Sequence, residues 1–166
     1  MDKLYNMFTT TKVTGVSETS VKKYIQKEIF IPAAGGKGEE KKFSVQNLLE
    51  LCLIKNISNC TKNLKIAAVI LNELHQKHPA SFSIAETNRH RAEVLTFSVG
   101  YAGRINYGIY AGNYKVMRIN VEDEPSEMFY VINIALIKSK IEEKLGEQEA
   151  IEEEQEQVDK TEEVNE

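Results

Sequence analysis

The stretch TGVSETSVKKYIQKEIFIP, residues 14–32, places a turn-forming glycine directly before the start of an amphipathic helix. Gly15 permits the backbone of a tight turn, and Ser17 is a residue type that caps helix N-termini. In the helix that follows, Val21 lies on the inner side and Lys22 on the outer side. The prediction of the fold starts from this glycine turn and the basic helix behind it.

The flanking sequence predicts a further helix on each side. Upstream, Thr9 and Thr10 are candidate N-caps of a first helix. Downstream, AAGGKGEEKKF at residues 33–43 has three glycines and three lysines, which is typical of an exposed basic loop. Ser44 is the candidate cap of a third helix, whose apolar face consists of Leu48, Leu51, Cys52 and Ile54.

Helix, glycine turn, basic helix and basic glycine-rich loop follow one another as in a winged helix-turn-helix. In that arrangement the second helix enters the major groove of DNA, which is about 12 Å wide. The loop would then lay lysines on the phosphate backbone beside the groove.

The run T-G-V-S-x-x-S-V-K-K-Y-x-x-x-x-I-x-I-P at residues 14–32 resembles the start of the MerR-family winged-helix regulators. Lys41-Lys42-Phe43-Ser44 resembles the wing of that family, and Leu48, Leu51 and Ile54 resemble the helix after it. The resemblance covers about residues 4–56, and excisionases and segregation proteins share this kind of head. Lys22 and Lys41 stand where the family has arginine, so the bidentate guanidinium fork is absent there.

The resemblance implies a sequence-specific transcriptional regulator that binds an inverted repeat of double-stranded DNA as a homodimer. The residues themselves favour no cofactor, no metal and no catalysis, since a metal or redox sensor of this family would need a cysteine in the C-terminal part and none follows Cys60. A small-molecule effector stays an open alternative. Ser17 is in the first place a helix cap and in the second a phosphate contact. The DNA-binding residues that we predict are Ser17, Thr19, Ser20, Lys22, Lys23, Tyr24, Lys37, Lys41 and Lys42.

The rest of the chain predicts an α+β fold of three parts: the DNA-binding domain at 1–62, a dimerisation or effector domain at 63–146, and a tail at 147–166. A helix at 61–78, capped by Thr61 and ended by Pro79, opens the second part. A capping box at Ser83 and Glu86 and a three-stranded antiparallel meander follow. The strands of the meander are predicted around 95–101, 105–109 and 115–121, with turns at Gly103 and at Gly112-Asn113.

Residues 126–145 favour a helix that starts at Ser126 and ends at Gly146, although FYVINIALI at 129–137 is also good strand sequence. Its apolar face is the predicted dimer contact, made by Met128, Ile132, Ala135 and Ile141.

The charge is distributed unevenly along the chain. Residues 1–62 hold ten lysines and six acids, whereas residues 147–166 hold ten acids and one lysine. We therefore expect a basic head that meets an anion and an acidic, disordered tail, with a frayed extension of the preceding helix as the alternative.

Several classes of function are disfavoured by the sequence. There is no nucleophile–base pair, phosphate loop or carboxylate dyad at an interpretable spacing, so an enzyme is not expected. His75 and His78 lack a third ligand in phase and are predicted to be solvated, and the two cysteines are too few for a disulfide framework. No run of 18 apolar residues and no secretory signal is found, so we expect a cytoplasmic, nucleoid-associated protein without a membrane partner.

Three alternatives stay open. The tyrosines and glycines within 100–114 line either a ligand pocket or plain strands with glycine turns. The chain could also be an architectural or segregation-type DNA-binding protein, or a protein-interaction adaptor on a winged-helix scaffold.

Overall fold

The computed structural model describes residues 3–82, 91–99, 105–113 and 129–163, which form an α+β fold, as predicted. The described part has five α-helices, a three-stranded antiparallel sheet and a short 3-10 turn. In chain order the elements are α1 (Met7–Thr14), α2 (Glu18–Gln26), α3 (Val45–Thr61), α4 (Leu64–Lys77), the 3-10 turn (Pro79–Phe82), β1 (Arg91–Val99), β2 (Ile105–Asn113), β3 (Phe129–Asn133) and α5 (Ile134–Glu163).

The glycine turn and the start of α2 have the predicted geometry. Gly15 is left-handed with φ 62°, and Ser17 is the N-cap of α2, where its hydroxyl accepts from the Ser20 N–H at 3.2 Å. The cap of α1 was predicted wrongly. Asn6 caps this helix because its side chain accepts from the Thr9 N–H at 2.9 Å, and Thr9 and Thr10 are buried inside the helix.

Ser44 caps α3 as predicted, in a reciprocal capping box with Asn47. Thr61, however, does not cap α4. It is the last residue of α3, where its hydroxyl donates to the Ile57 carbonyl at 2.8 Å. The chain turns at Lys62, which has a left-handed φ of 54°, and Asn63 caps α4 instead.

The sheet has the order β2-β1-β3, with β1 in the centre. The predicted meander, in contrast, would have its second strand in the centre. Leu95 pairs with Ile109 on one side and with Ile132 on the other. The period of two in β1 and β2 was predicted correctly, but Gly112 and Asn113 lie within β2 and do not form a turn.

Some predicted features lie outside the described residues. These are the capping box of Ser83 and Glu86, the turn at Gly103, the strand at 115–121, and the residues Ser126 and Met128.

The prediction for residues 126–145 requires the largest correction. FYVIN at 129–133 is a strand, because it pairs with the central strand β1, and the helix begins only at Ile134. The side chain of Asn133 accepts from the Leu136 N–H at 2.9 Å and so caps the new helix. Gly146 does not end α5, which continues to Glu163, so residues 147–163 are helical where a disordered tail was predicted.

One continuous hydrophobic core joins the N-terminal helices to the sheet. It contains Val21 of α2, Leu48 of α3, Phe97 of β1 and Ile141 of α5. Helix α5 packs against α1, α3 and β1, so the last helix of the chain supports the first.

Two threonines of α1 offer a test of this packing. Thr10 Oγ1 is fully buried and has no hydrogen-bond partner within the described residues, whereas Thr14 Oγ1 donates to the Thr10 carbonyl at 2.7 Å. We expect Thr10→Val to raise the free energy of unfolding by about 1 kcal/mol, since it removes an unsatisfied hydroxyl at constant shape. The matched variant Thr14→Val should lower it by about 1 kcal/mol. Urea unfolding of both variants measures the difference, and equal effects would contradict it.

Candidate nucleic-acid interface

Helix α2 has one buried side and one exposed, polar side. Val21 is fully buried, and Tyr24 and Ile25 are half-buried against the core. Thr19, Lys22 and Lys23 are exposed on the opposite side. The predicted contact residues of this helix therefore share one surface, with Ser20 and Tyr24 at its edge.

Lys22 and Lys23 differ in their surroundings. The Nζ atom of Lys22 lies 2.6 Å from Glu18 Oε1, and both side chains are largely exposed. An exposed pair of this kind contributes little to stability and is screened by salt. Lys23 has no ion-pair partner in the described part of the chain, so its charge is open to solvent.

The N-terminus of α2 lies on the same exposed, polar surface. Ser17 and Ser20 share a hydrogen bond of 2.8 Å between their hydroxyl oxygens, and Ser17 also caps the helix. The N-terminus of a helix carries a positive partial charge that favours anions. Burial raises the pKa of Tyr24, and a hydrogen bond with Ser20 partly offsets that shift.

The glycine-rich loop, residues 33–43, is a small antiparallel hairpin. Ala34 and Lys42 exchange backbone hydrogen bonds of 3.2 and 3.0 Å. Gly35 has φ 100°, and a Cβ atom there would overlap the Glu40 carbonyl oxygen, so the loop requires glycine at this position. Phe43, the last residue of the loop, pairs with Tyr5 in an antiparallel bridge. This bridge fixes the base of the loop to the start of the chain.

The three lysines of the glycine-rich loop have different environments. Lys41 Nζ donates to the carbonyl oxygens of Gly35 and Gly36, so this side chain braces the loop from within. Lys42 Nζ lies 2.9 Å from Glu40 Oε2. Lys37 is exposed near the tip and has no ion-pair partner within the described residues.

The predicted dimer residues lie on β3 and α5, but largely inside the chain. Ile132 and Ile141 are buried in the hydrophobic core and Ala135 is half-buried, while Met128 is outside the described residues. The exposed apolar side chains of this region are Val131 and Leu136, which are 54% and 49% exposed.

His75, which was predicted to be solvated, is half-buried and makes specific contacts. Its Nε2 atom lies 3.1 Å from Glu50 Oε1, and its ring stacks on Phe82 with 4.2 Å between the centroids. Glu50 was missed because a single acid inside an apolar helix gives no periodic signal. The side chains of Gln46 and Asn47 also donate to its carboxylate, at 3.0 and 3.1 Å.

A buried ion pair joins α5 to the sheet. Lys138 Nζ lies 2.6 Å from Glu93 Oε2, and the lysine side chain is only 5% exposed. This pair was not predicted, since its two residues are 45 positions apart in the sequence.

The described residues contain no group of three or more His, Cys, Asp or Glu side chains that could hold a metal ion. Cys52 is buried, which raises the pKa of its thiol to about 11, so it packs as a small apolar residue, as predicted. Cys60 is exposed and unpaired.

In the part of the chain that the structure describes, no helix combines the length and apolar character needed to cross a bilayer. No protein-family model matches this sequence, and a search among curated proteins finds no match either.

Glu50 predicts a pH dependence of stability. Burial raises the pKa of this carboxyl, and the donors Asn47, Gln46 and His75 only partly offset it. Because the pKa of Glu50 is raised in the folded state, the protonated carboxyl contributes to the free energy of unfolding at low pH. This contribution is lost as the pH rises through the raised pKa. Wild type should therefore lose stability relative to Glu50→Gln as the pH rises above the ordinary glutamate pKa of 4.5.

Urea unfolding at several pH values measures this difference. Glu143→Gln, an exposed change on α5, is the control and should follow the wild-type profile. A constant difference between wild type and Glu50→Gln over these pH values would contradict the prediction.

Proposed function

We propose that this chain is a DNA-binding transcriptional regulator whose α1 and α2 act as a helix-turn-helix and whose glycine-rich loop acts as a wing. The observation that carries the proposal is the exposed basic side of α2 beside a braced basic hairpin. The inner side of α2 is anchored by the fully buried Val21, which keeps the polar side of this helix outward.

In this proposal α2 enters the major groove. Thr19, Lys22 and Lys23 face the DNA, and Ser17 and Ser20 bring the amide end of the helix to a phosphate. The exposed ion pair of Lys22 with Glu18 is weak enough to exchange for a phosphate contact. Tyr24 is half-buried and serves mainly to seat the helix on the core.

The glycine-rich loop supplies the flanking phosphate contacts. Lys37 and Lys42 project charge toward the backbone, whereas Lys41 acts within the loop by holding its carbonyls. Because lysine lacks the planar fork of arginine, phosphate contacts are expected to contribute more than base contacts. This division between contact lysines and a bracing lysine goes beyond the equal roles that the sequence predicted for them.

The proposed regulator acts as a homodimer. One head of this size offers few phosphate contacts, and two-fold pairing doubles them on an inverted repeat. Since Ile132 and Ile141 are buried within the chain, we assign the dimer contact to the exposed Val131 and Leu136 at the junction of β3 and α5.

The DNA-binding proposal predicts the effect of removing the unpaired lysines. Lys23→Ala and Lys37→Ala should each weaken binding to a duplex from the protein's own upstream region. Each should also make the slope of log K against log salt shallower by about 1, because one phosphate contact is lost. Fluorescence anisotropy at several salt concentrations measures affinity and slope together.

Lys65→Ala is the matched control, since Lys65 is an exposed lysine on α4 and belongs neither to α2 nor to the glycine-rich loop. It should leave the slope unchanged. Equal slopes for wild type, Lys23→Ala and Lys37→Ala would overturn the proposed interface.

The dimer proposal is tested by a charge placed on the exposed apolar contact. Leu136→Lys should shift the protein to the monomer in sedimentation equilibrium, because it puts a charge into an apolar interface. It should reduce affinity for the inverted repeat more than affinity for a half-site. Val69→Lys, on the comparably exposed Val69 of α4, should leave the association state unchanged. A monomeric wild type that still binds the inverted repeat tightly would contradict the dimer.

A further inference from the structure

A cavity of about 390 Å³ lies between the end of α2 and the facing sides of α3 and α4. This volume is within the range of small-molecule sites, about 300–1,000 Å³. The residues that matter for its chemistry are Glu28, Phe30, Glu50, Leu71, Asn72 and His75.

The titratable lining residues of the cavity are mostly acidic. The cavity is lined by two carboxylates, Glu28 and Glu50, and by no lysine or arginine among the described residues. Glu28 follows directly after the C-cap of α2, so the negative end of that helix points to the same place. A bound anion would be repelled here, and a cation would be attracted.

Glu50 is the chemically unusual group of the cavity. Glu50 is only 5% exposed, and no lysine or arginine forms an ion pair with its carboxylate in the described part of the chain. Its donors are the side-chain amides of Gln46 and Asn47 and the imidazole of His75. A buried carboxylate with no permanent cation is costly, so a cationic ligand would add a favourable interaction that the chain itself lacks.

The walls and the donor set select the kind of cation. Phe30 and Leu71 give the cavity apolar walls, and Asn72 adds a polar side chain. An aromatic ring also attracts an organic cation through its face. A divalent metal would need three or more ligands, and the described residues bring no such group together.

We propose that this cavity binds a small organic cation, an ammonium or amidinium group on a compact apolar body. Glu50 receives the charged group, and Phe30 and Leu71 enclose the apolar body.

The cavity is placed where a ligand would touch the end of α2. Glu28 is a non-glycine residue with φ 55°, in the left-handed region, so the reversal after α2 is conformationally strained. Asn47 Nδ2 bridges the two sides, because it donates both to the Ile31 carbonyl and to Glu50 Oε2, each at 3.1 Å. A ligand on Glu50 would therefore bias the orientation of α2 and with it DNA affinity, a consequence that rests on the proposed function.

The binding test uses full-length protein without DNA and three probes built on one aromatic ring. Benzylammonium is the cation, benzyl alcohol the neutral analogue and phenylacetate the anion. Benzylammonium at about ten times its Kd should raise the Tm of wild type by about 3–5 °C. The other two probes should leave the Tm within error. Equal shifts with all three probes, or no shift with benzylammonium up to 10 mM, would overturn the proposal.

Two variants locate the site. Glu50→Gln removes the charge at constant shape, and Ala68→Leu fills the cavity from its α4 wall. Both should abolish the shift with benzylammonium, and Ala68→Leu keeps the test valid if Glu50→Gln does not fold. Glu143→Gln removes a carboxylate from an exposed position on α5 and should keep the full shift. Retention of the shift in Ala68→Leu and in a folded Glu50→Gln would place the amine elsewhere and overturn the assignment.

A failure of this proposal can be told apart from a failure of the proposed function. The amine assay contains no DNA, and the lysine variants of α2 and the glycine-rich loop do not touch the cavity. Lys23→Ala should therefore show weaker DNA binding and an unchanged benzylammonium shift.

Discussion

The rest of the structure depends on the burial of α3. Residues on every side of this helix are buried, among them Leu48, Leu49, Leu51, Leu53 and Ile54. Because residues 47–54 are buried on all sides, the first half of α3 has to lie in the interior, and α3 accordingly packs against α1, α4, α5 and the 3-10 turn. The orientation of α2 follows from the same constraint, because its buried Val21 belongs to the core that α3 organises.

Glu50 is a charged residue buried within this otherwise apolar stretch, and its contacts show how a buried carboxylate is accommodated. Its carboxylate is held by two residues of the preceding turn, Gln46 and Asn47, and by His75 from α4. Stacking of His75 on Phe82 then fixes the imidazole in place. One buried acid therefore connects α3, α4 and the 3-10 turn, and through Asn47 it also connects the segment after α2. A polar network at the junction of this many elements is a strong specifier of geometry when its members are satisfied.

The sequence predicts the N-terminal half well because its signals are local. Gly15, Ser17 and Ser44 each determine a turn or a cap within a few residues, and all three have the predicted geometry. The second half depends on long-range pairing, which a single sequence does not display. FYVIN becomes a strand only because β1 lies beside it, and the buried Lys138 is tolerable only because Glu93 faces it. In the candidate interface, charge pattern found the lysines but could not tell that Lys41 braces the loop.

The helix-turn-helix geometry is also held from the far end of the chain. Two lysines donate hydrogen bonds to carbonyl oxygens at the end of α1. Lys144 of α5 donates to the Val13 carbonyl, and Lys55 of α3 donates to the Gly15 carbonyl. Cations at a helix C-terminus are favourable, and here they come from the two helices on which α1 packs. Helix α5 begins at Ile134, carries the exposed Leu136 in its first turn and reaches the turn before α2 through Lys144. A contact at the β3–α5 junction is therefore connected, through the α5 residues from Leu136 to Lys144, to the turn that precedes the basic helix α2.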